Sequence, residues 1–503
     1  MKPTTQGTRW ADPQEIKNSP GIRKLGKGEG YNACGLPLIR DAQHIYVDNS
    51  DSHTLIFGST GSKKTRLFGM PMINLVTLAG ESFITTDPKG ELYERTSGFA
   101  ASKGYDIVVL NFRDMEKSSL WNPLSHPYKL YHNGNIDDAI SLINDFLTTL
   151  AEPQRKTTND SYWIEMGFAM ALAFMLFFIE TATEEQANIS NFIDFFTSNS
   201  SVQATEALAK RTAEGSIAST NFNTILTNKE AEKTFACVAS IVVSMFAQFT
   251  TRKTLRRVLS QNSFISGSIG KRKTAVYIIV PDERTSLHFL ATLFIKQVYE
   301  ALIHEAHLTE ERSLPIRVNF LLDEFCNIPK IPDMPAMISA ARSRNIRFFL
   351  MAQGMYQLRQ KYDKDAETIK GNCDNWVFLT SREYALLEEI SNLCGAVIYH
   401  DLNGNRAIRP LISVSELQRL SKEQGEALIL QGRQYPYMAN LPDIDDYSFE
   451  RLTPAKARPT GLPQITPYSI HEVLKHIDSR GWPLPFSYEV YGQHRYYEEK
   501  KGA

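Results

Sequence analysis

The sequence predicts an α/β protein, a mainly parallel, helix-covered sheet with an all-helical segment inserted into it. Three observations predict it. Short apolar runs recur along the chain with helical periodicity between several of them, the pattern of strands buried on both faces. One of these runs opens directly into a glycine-rich turn and a helix. The stretch from Trp121 to about Lys273 has almost no strand character and reads as a domain of helices.

Taken in order, residues 1–50 are polar and loop-rich and form an N-terminal segment. A first strand is expected at Thr54-Leu-Ile-Phe57, with further strands at 82–86, 106–110, 275–280, 318–322, 347–351 and 376–379. Residues 51–120 and 274–435 are therefore assigned to one sheet domain and 121–273 to the helical insertion. Helices inside the insertion are expected at 137–150, 162–181 and 230–259, the last carrying Arg252, Lys253, Arg256 and Arg257, a cluster more in keeping with a solvated helix end than with a ligand site. After residue 379 come a helix over 383–393, a hairpin around Asn403 to Asn405 and an apolar run at 427–430. The remainder, 436–503, rich in Pro, Tyr and charge, reads as an extended tail.

Bulk properties narrow the class. At 503 residues the chain exceeds one ordinary core. Its 42 % hydrophobic and 22 % charged content is that of a globular protein, neither disordered nor membrane-embedded. A net charge of -1 neither supports nor excludes nucleic acid, since a basic lining can be hidden in a neutral total. The five cysteines are scattered and never spaced C-x-x-C, which argues against a disulfide framework or zinc ribbon and fits a reducing cytosol. No apolar signal region follows the start. The most lipid-like stretch, 166–179, is short for a membrane span and is expected to be a core helix.

The glycine-rich turn Gly58-Ser59-Thr60-Gly61-Ser62-Lys63-Lys64-Thr65 has the context of a phosphate-binding loop. Backbone N–H groups of such a turn face phosphate oxygens, Lys64 reaches the β- and γ-phosphates, and the Thr65 hydroxyl ligates Mg²⁺. Lys63 departs from the pattern, because glycine ordinarily precedes the lysine and lets the backbone pass close to phosphate. The run Arg317-Val-Asn-Phe-Leu-Leu322 ends in Asp323-Glu324, a Walker B arrangement. There Asp323 would hold Mg²⁺ and Glu324 would orient or deprotonate the attacking water. A third run, Phe348 to Met351, leads into Gln353, placed to sense a γ-phosphate. Arg342 and Arg344 close a predicted helix, where a guanidinium could reach a neighbouring subunit's nucleotide or simply complement the helix dipole. The implied ligands are ATP and Mg²⁺.

These elements, together with Gly7-Thr-Arg-Trp10-Ala, Thr86-Asp87-Pro-Lys89-Gly-Glu-Leu, Trp121-Asn-Pro-Leu and Ala275-Val-Tyr-Ile-Ile-Val-Pro281-Asp, resemble the type IV secretion coupling proteins, the TraG-like conjugative DNA transfer ATPases. The resemblance implies a RecA-like nucleotide domain with an all-helical insertion, six subunits in a ring, Arg342 as the arginine finger and Gln353 at the γ-phosphate-sensing position. It also implies DNA, a relaxase or relaxosome and type IV secretion channel components as partners, and work at the cytoplasmic face of the membrane. Family members carry transmembrane helices ahead of the Gly7-Thr-Arg-Trp10-Ala element, so a separate anchor protein, or a truncated or soluble form, is expected here.

The function expected is that of an ATP-driven DNA translocase that brings relaxase-bound DNA to the channel. Lys63 supports a rival, a non-hydrolysing receptor that docks relaxase or effector substrates. A chromosome-segregation translocase is a second rival, against which the helical insertion argues.

Overall fold

The computed structural model describes residues 7–26, 28–155, 161–227, 231–400, 406–456 and 461–480. The chain divides into two compact units. One comprises Met1–Arg113, Ser266–Thr292 and Val298–Arg458; the other comprises Asp114–Ile265, Leu293–Gln297 and Pro459–Ala503.

The first unit opens with a small antiparallel sheet of β1 (Ile22–Gly26), β2 (Leu36–Arg40) and β3 (His44–Asp48), in the order β1-β3-β2. These residues were expected to be loop. These strands are five residues long, mostly buried and separated by glycines and polar residues, so they carry neither a long apolar run nor a clear alternation. The main sheet contains β4 (Thr54–Phe57), β5 (Ser82–Thr86), β6 (Asp106–Asn111), β7 (Thr274–Ile279), β8 (Val318–Leu322), β9 (Ile346–Ala352) and β10 (Asn375–Phe378), all mutually parallel where they pair. A separate ribbon of β11 (Ala396–His400) and β12 (Arg406–Pro410) is the expected hairpin, whose turn lies outside the described residues. Antiparallel β13 (Glu426–Gln431) and β14 (Tyr437–Asn440) extend the main sheet to nine strands, ordered β14-β13-β10-β4-β9-β8-β5-β7-β6. All seven apolar runs read as strands are strands. Every residue of β4, β5, β7, β8 and β9 is buried, which is why these segments lack period-two alternation.

The N-terminal ends of β5, β8 and β9 are tied by a buried polar cluster. Arg347 is 1 % exposed; its Nε donates to Asn319 Oδ1 at 2.9 Å, one Nη to the Ser50 carbonyl at 2.9 Å, and the other lies 3.4 Å from Glu81 Oε2. Asn319 Nδ2 also donates to Glu81, at 2.9 Å. A buried guanidinium needs such a set of acceptors, because an unpaired charge there is costly.

The second unit is helical. Its helices include Ile136–Arg155, Ser161–Thr181, Ile189–Asn199, Ile217–Leu226 and Glu232–Met245. Phe174, Phe177, Phe178, Phe192, Phe195, Phe196 and Phe222 form its aromatic core, with ring pairs such as Phe174 and Phe196 edge to face at 4.9 Å. Tyr162–Thr181 is long and apolar enough to cross a membrane, but residues 170–179 are buried on every side, as a core helix requires. The single helix expected over 230–259 is instead three, Glu232–Met245, Ala247–Thr250 and Lys253–Val258, because the chain leaves helical geometry at Arg252. Arg256 donates to Ser190 and Asp194, and Arg257 to the carbonyls of Leu462 and Pro463, so both serve the unit's own packing. Beyond residue 436, where a tail was expected, the structure holds β14 and the helix Ile470–Arg480.

Replacing Arg347 with Ala leaves the Glu81 carboxylate without one of its two arginine partners, strips Asn319 Oδ1 of its donor and opens a cavity at the strand ends. It is expected to destabilise the first unit by about 3 kcal/mol, read as a lower denaturant midpoint with the m-value maintained.

Candidate functional site

Parallel strands deliver their C-terminal ends, and the loops that follow them, to one edge of the sheet. Here β4 runs into Gly58 to Thr65, and the loop is pinned at its start by Gly58 N–H to the Ala352 carbonyl (3.1 Å) and Ser59 N–H to the Thr380 carbonyl (3.0 Å). It passes into a wide π-type turn, Thr65–Gly69, and then the helix Met70–Ala79, which ends at Gly80 in the left-handed conformation (φ 78°). Gly58 is required by contact. A β-carbon there would stand 2.4 Å from Ser62 Oγ and 2.9 Å from Lys64 Cγ.

Lys64 is the centre of the arrangement. Its ammonium is 5 % exposed, donates to the Gly58 carbonyl at 2.5 Å and lies 3.4 Å from Glu324 Oε1. Thr65 Oγ1 donates to Asp323 Oδ2 at 3.1 Å, so the two expected Mg²⁺ ligands stand side by side at the ends of β4 and β8. Gln353, just past the end of β9, donates from Nε2 to Glu324 Oε2 at 2.9 Å, and Asn327 Nδ2 approaches the same oxygen at 3.3 Å. Glu324 holds a left-handed φ of 49°, which turns the chain sharply after β8. Burial pushes Asp323 up to about 6, helped by the Glu324 charge and opposed by Lys64 and the Thr65 hydrogen bond.

The cradle fits phosphate and Mg²⁺. Ser62 Oγ is buried and has no hydrogen-bond partner, a polar atom aimed into a loop of N–H donors. One hydroxyl and one carboxylate are few ligands for a cation, and Mg²⁺ characteristically completes its shell with water and substrate phosphate.

Lys63 does what the glycine of the pattern would do. Its φ is 66°, so the backbone keeps the left-handed turn and the loop shape survives the substitution. For a lysine that conformation costs about 1–2 kcal/mol. The side chain leads to an ion pair with Glu423, Nζ to Oε2 at 2.9 Å, whose carboxylate side chain is 71 % exposed. A pair so open to water returns little of that cost.

Arg342 does not join the site of its own chain. It is paired with Asp51 at 3.0 Å and Asp374 at 2.9 Å, residues that precede β4 and β10, and so lies at the opposite edge of the sheet from the phosphate loop. Only a second copy could receive it as a finger. Two neighbours of the site had no role assigned from sequence. Asp87, at the end of β5, is 1 % exposed, accepts the Tyr93 N–H at 2.8 Å and is pushed up to about 7 by burial, with a contribution from the Asp323 charge. Its signal was present in Thr86-Asp87-Pro-Lys89, an acid at a strand end. Glu423 had none, lying far along the chain in an exposed turn.

β9 stands between the loop strand β4 and the carboxylate strand β8 and delivers Gln353 to the Glu324 oxygen that Lys64 does not hold, which places the chain in the RecA-like class of P-loop NTPases. Solved structures share this fold. The plasmid coupling protein TrwB in complex with the non-hydrolysable ATP analogue ADPNP superposes with a TM-score of 0.64 at 15 % identity, covering 90 % of this chain and 98 % of that one. TrwB in complex with ADP and Mg²⁺ gives 0.61 at 16 %, covering 90 % and 97 %.

Residues 9–424 match the family described as Type IV secretory system Conjugative DNA transfer, and the chain belongs to it. Protein VirD4 of Rhizobium radiobacter is 23 % identical over 93 % of this chain and 68 % of its own length. The conjugal transfer protein TraG of Escherichia coli is 22 % identical over 81 % of this chain and 66 % of its own. The chain thus spans about two thirds of the length of these relatives.

Because glycine accepts a left-handed φ without steric cost, Lys63→Gly is expected to stabilise the protein by up to about 1 kcal/mol, visible as a higher denaturant midpoint.

Proposed function

We propose that the protein is an ATP-driven DNA translocase that couples relaxase-bound DNA to a type IV secretion channel. The observation that carries this reading is the joined set Lys64, Thr65, Asp323, Glu324 and Gln353, brought together by hydrogen bonds and an ion pair although Lys63 stands at the glycine position. Family membership supplies the context of conjugative transfer.

The chemistry follows from what each group now holds. Lys64 exchanges the Gly58 carbonyl for phosphate oxygens, which compete well for a buried ammonium. Thr65 and Asp323 would hold Mg²⁺, which would supply charge neutralisation at the phosphates. Glu324 takes a proton from, or orients, the attacking water once Lys64 has turned to phosphate. Gln353 donates to Glu324 and so links that carboxylate to the end of β9, a route by which γ-phosphate occupancy reaches the sheet. Arg342 of one subunit completes the site of the next in a homo-hexameric ring, where it stabilises transition-state charge. DNA is gripped by its backbone, so binding is salt-dependent and weakly sequence-dependent. Work at the cytoplasmic face of the membrane, with a separate anchor protein where the subunit has none, completes the reading.

Steady-state ATP hydrolysis with and without single- and double-stranded DNA tests it. DNA-stimulated turnover is expected, abolished in Lys64→Ala and Glu324→Gln and reduced about 10³-fold in Arg342→Ala. ATP binding with no turnover above the variants under any DNA condition replaces the motor with a nucleotide-binding receptor for relaxase or effectors.

The raised Asp323 carboxyl makes metal binding pH-dependent. Its charged form attracts Mg²⁺, and protons compete for it below about pH 6. Mg²⁺-dependent nucleotide affinity is expected to be full above that pH and to fall about tenfold per pH unit below it. Titration of Mg²⁺ against a fluorescent nucleotide should show this inflection, and Asp323→Asn should lack it.

A further inference from the structure

The Lys63 side chain has a conformational cost that its visible partner does not offset. A lysine is held in a left-handed turn (φ 66°), and it is matched only by a carboxylate open to water. Glycine would serve the fold better, so the ammonium group itself calls for a use.

Its position suggests one. Lys63 belongs to the loop whose N–H groups surround phosphate, and its stem is a flexible four-carbon chain ending in a point charge with three donors. It lines an open cleft of about 440 Å³ beside the loop, together with Arg40, Leu67, Lys422, Glu423 and Asp443. Of the carboxylates lining this cleft, Asp443 is held by Arg66, at 2.8 Å from Nε, and Glu423 is the one that accepts a hydrogen bond from Lys63. Lys63 in turn holds the Glu423 carboxyl below its usual range.

We infer that Glu423 and the phosphates of a nucleotide compete for the Lys63 ammonium, so that Lys63 is a phosphate-positioning residue and Glu423 a brake on it. The exchange breaks one exposed ion pair and forms a charge-assisted hydrogen bond to a polyanion, the stronger of the two. No bond other than hydrogen bonds changes, and the movement is rotation about the side-chain torsions of Lys63. Because Glu423 lies in the turn before β13, nucleotide binding also releases that turn from the phosphate loop. The inference rests on the loop being a nucleotide site, as proposed above.

A double-mutant cycle tests it on the full chain. The dissociation constant of a fluorescent ATP analogue with Mg²⁺ is measured for wild type, Glu423→Gln, Lys63→Met, the double variant and Lys64→Ala, with melting curves to verify folding. Glu423→Gln is expected to tighten binding by about threefold and Lys63→Met to weaken it by about tenfold. In the Lys63→Met background Glu423→Gln should have no effect. A Glu423→Gln variant that binds no tighter than wild type, or gains equally with and without Lys63, overturns the brake while leaving the nucleotide site standing. Analogue bound as well by Lys64→Ala as by wild type, or by none of the variants, overturns the site and the inference together.

Discussion

The site is organised by the need to satisfy one buried ammonium. Lys64 is almost wholly removed from water, and a buried positive charge must be paired and hydrogen-bonded to be tolerated. The Gly58 carbonyl and the Glu324 carboxylate meet that need, and in doing so tie the end of β4 to the end of β8. Glu324 is then held from its other oxygen by Gln353 at the end of β9. The three strand ends form one connected unit whose partners a triphosphate would replace. The C-terminal edge of a parallel sheet suits this because each strand delivers its following loop to the same edge.

The opposite edge of the sheet is tied by the same kind of constraint. Arg347 is buried there among Asn319, Glu81 and backbone carbonyls, and it holds the entries of β5, β8 and β9. Arg342, close by in sequence, is exposed and paired with Asp51 and Asp374. One arginine stabilises the sheet from within, and the other is held at the surface by two partly exposed aspartates. Burial, more than residue type, distinguishes them.

Lys63 shows how a departure from a motif can preserve its backbone shape. What the phosphate loop requires at that position is a left-handed backbone, and glycine is the least costly way to provide it. The lysine provides it with strain, and sends its side chain to Glu423. The loop shape and the placement of Lys64 and Thr65 are maintained.

Residue order alone determined the seven parallel strands, because strands buried on both faces are continuous apolar runs, and it singled out Lys64, Thr65, Asp323, Glu324 and Gln353 as candidates, because such groups sit at fixed offsets from the strand ends; the fold brings them together. The core nature of the apolar run 166–179 was legible from its shortness, although the whole helix Tyr162–Thr181 is long enough to span a membrane and its burial decides the matter. Residue order did not determine the three strands between residues 22 and 48, whose short segments lack both a long apolar run and a clear period, nor the break of the 230–259 segment into three helices. Only the tertiary structure decided that Arg342 faces away from its own phosphate loop, that Asp87 lies buried near Asp323, and that Lys63 meets Glu423. Those facts depend on which strands become neighbours, and strand order brings together residues hundreds of positions apart that no local pattern connects.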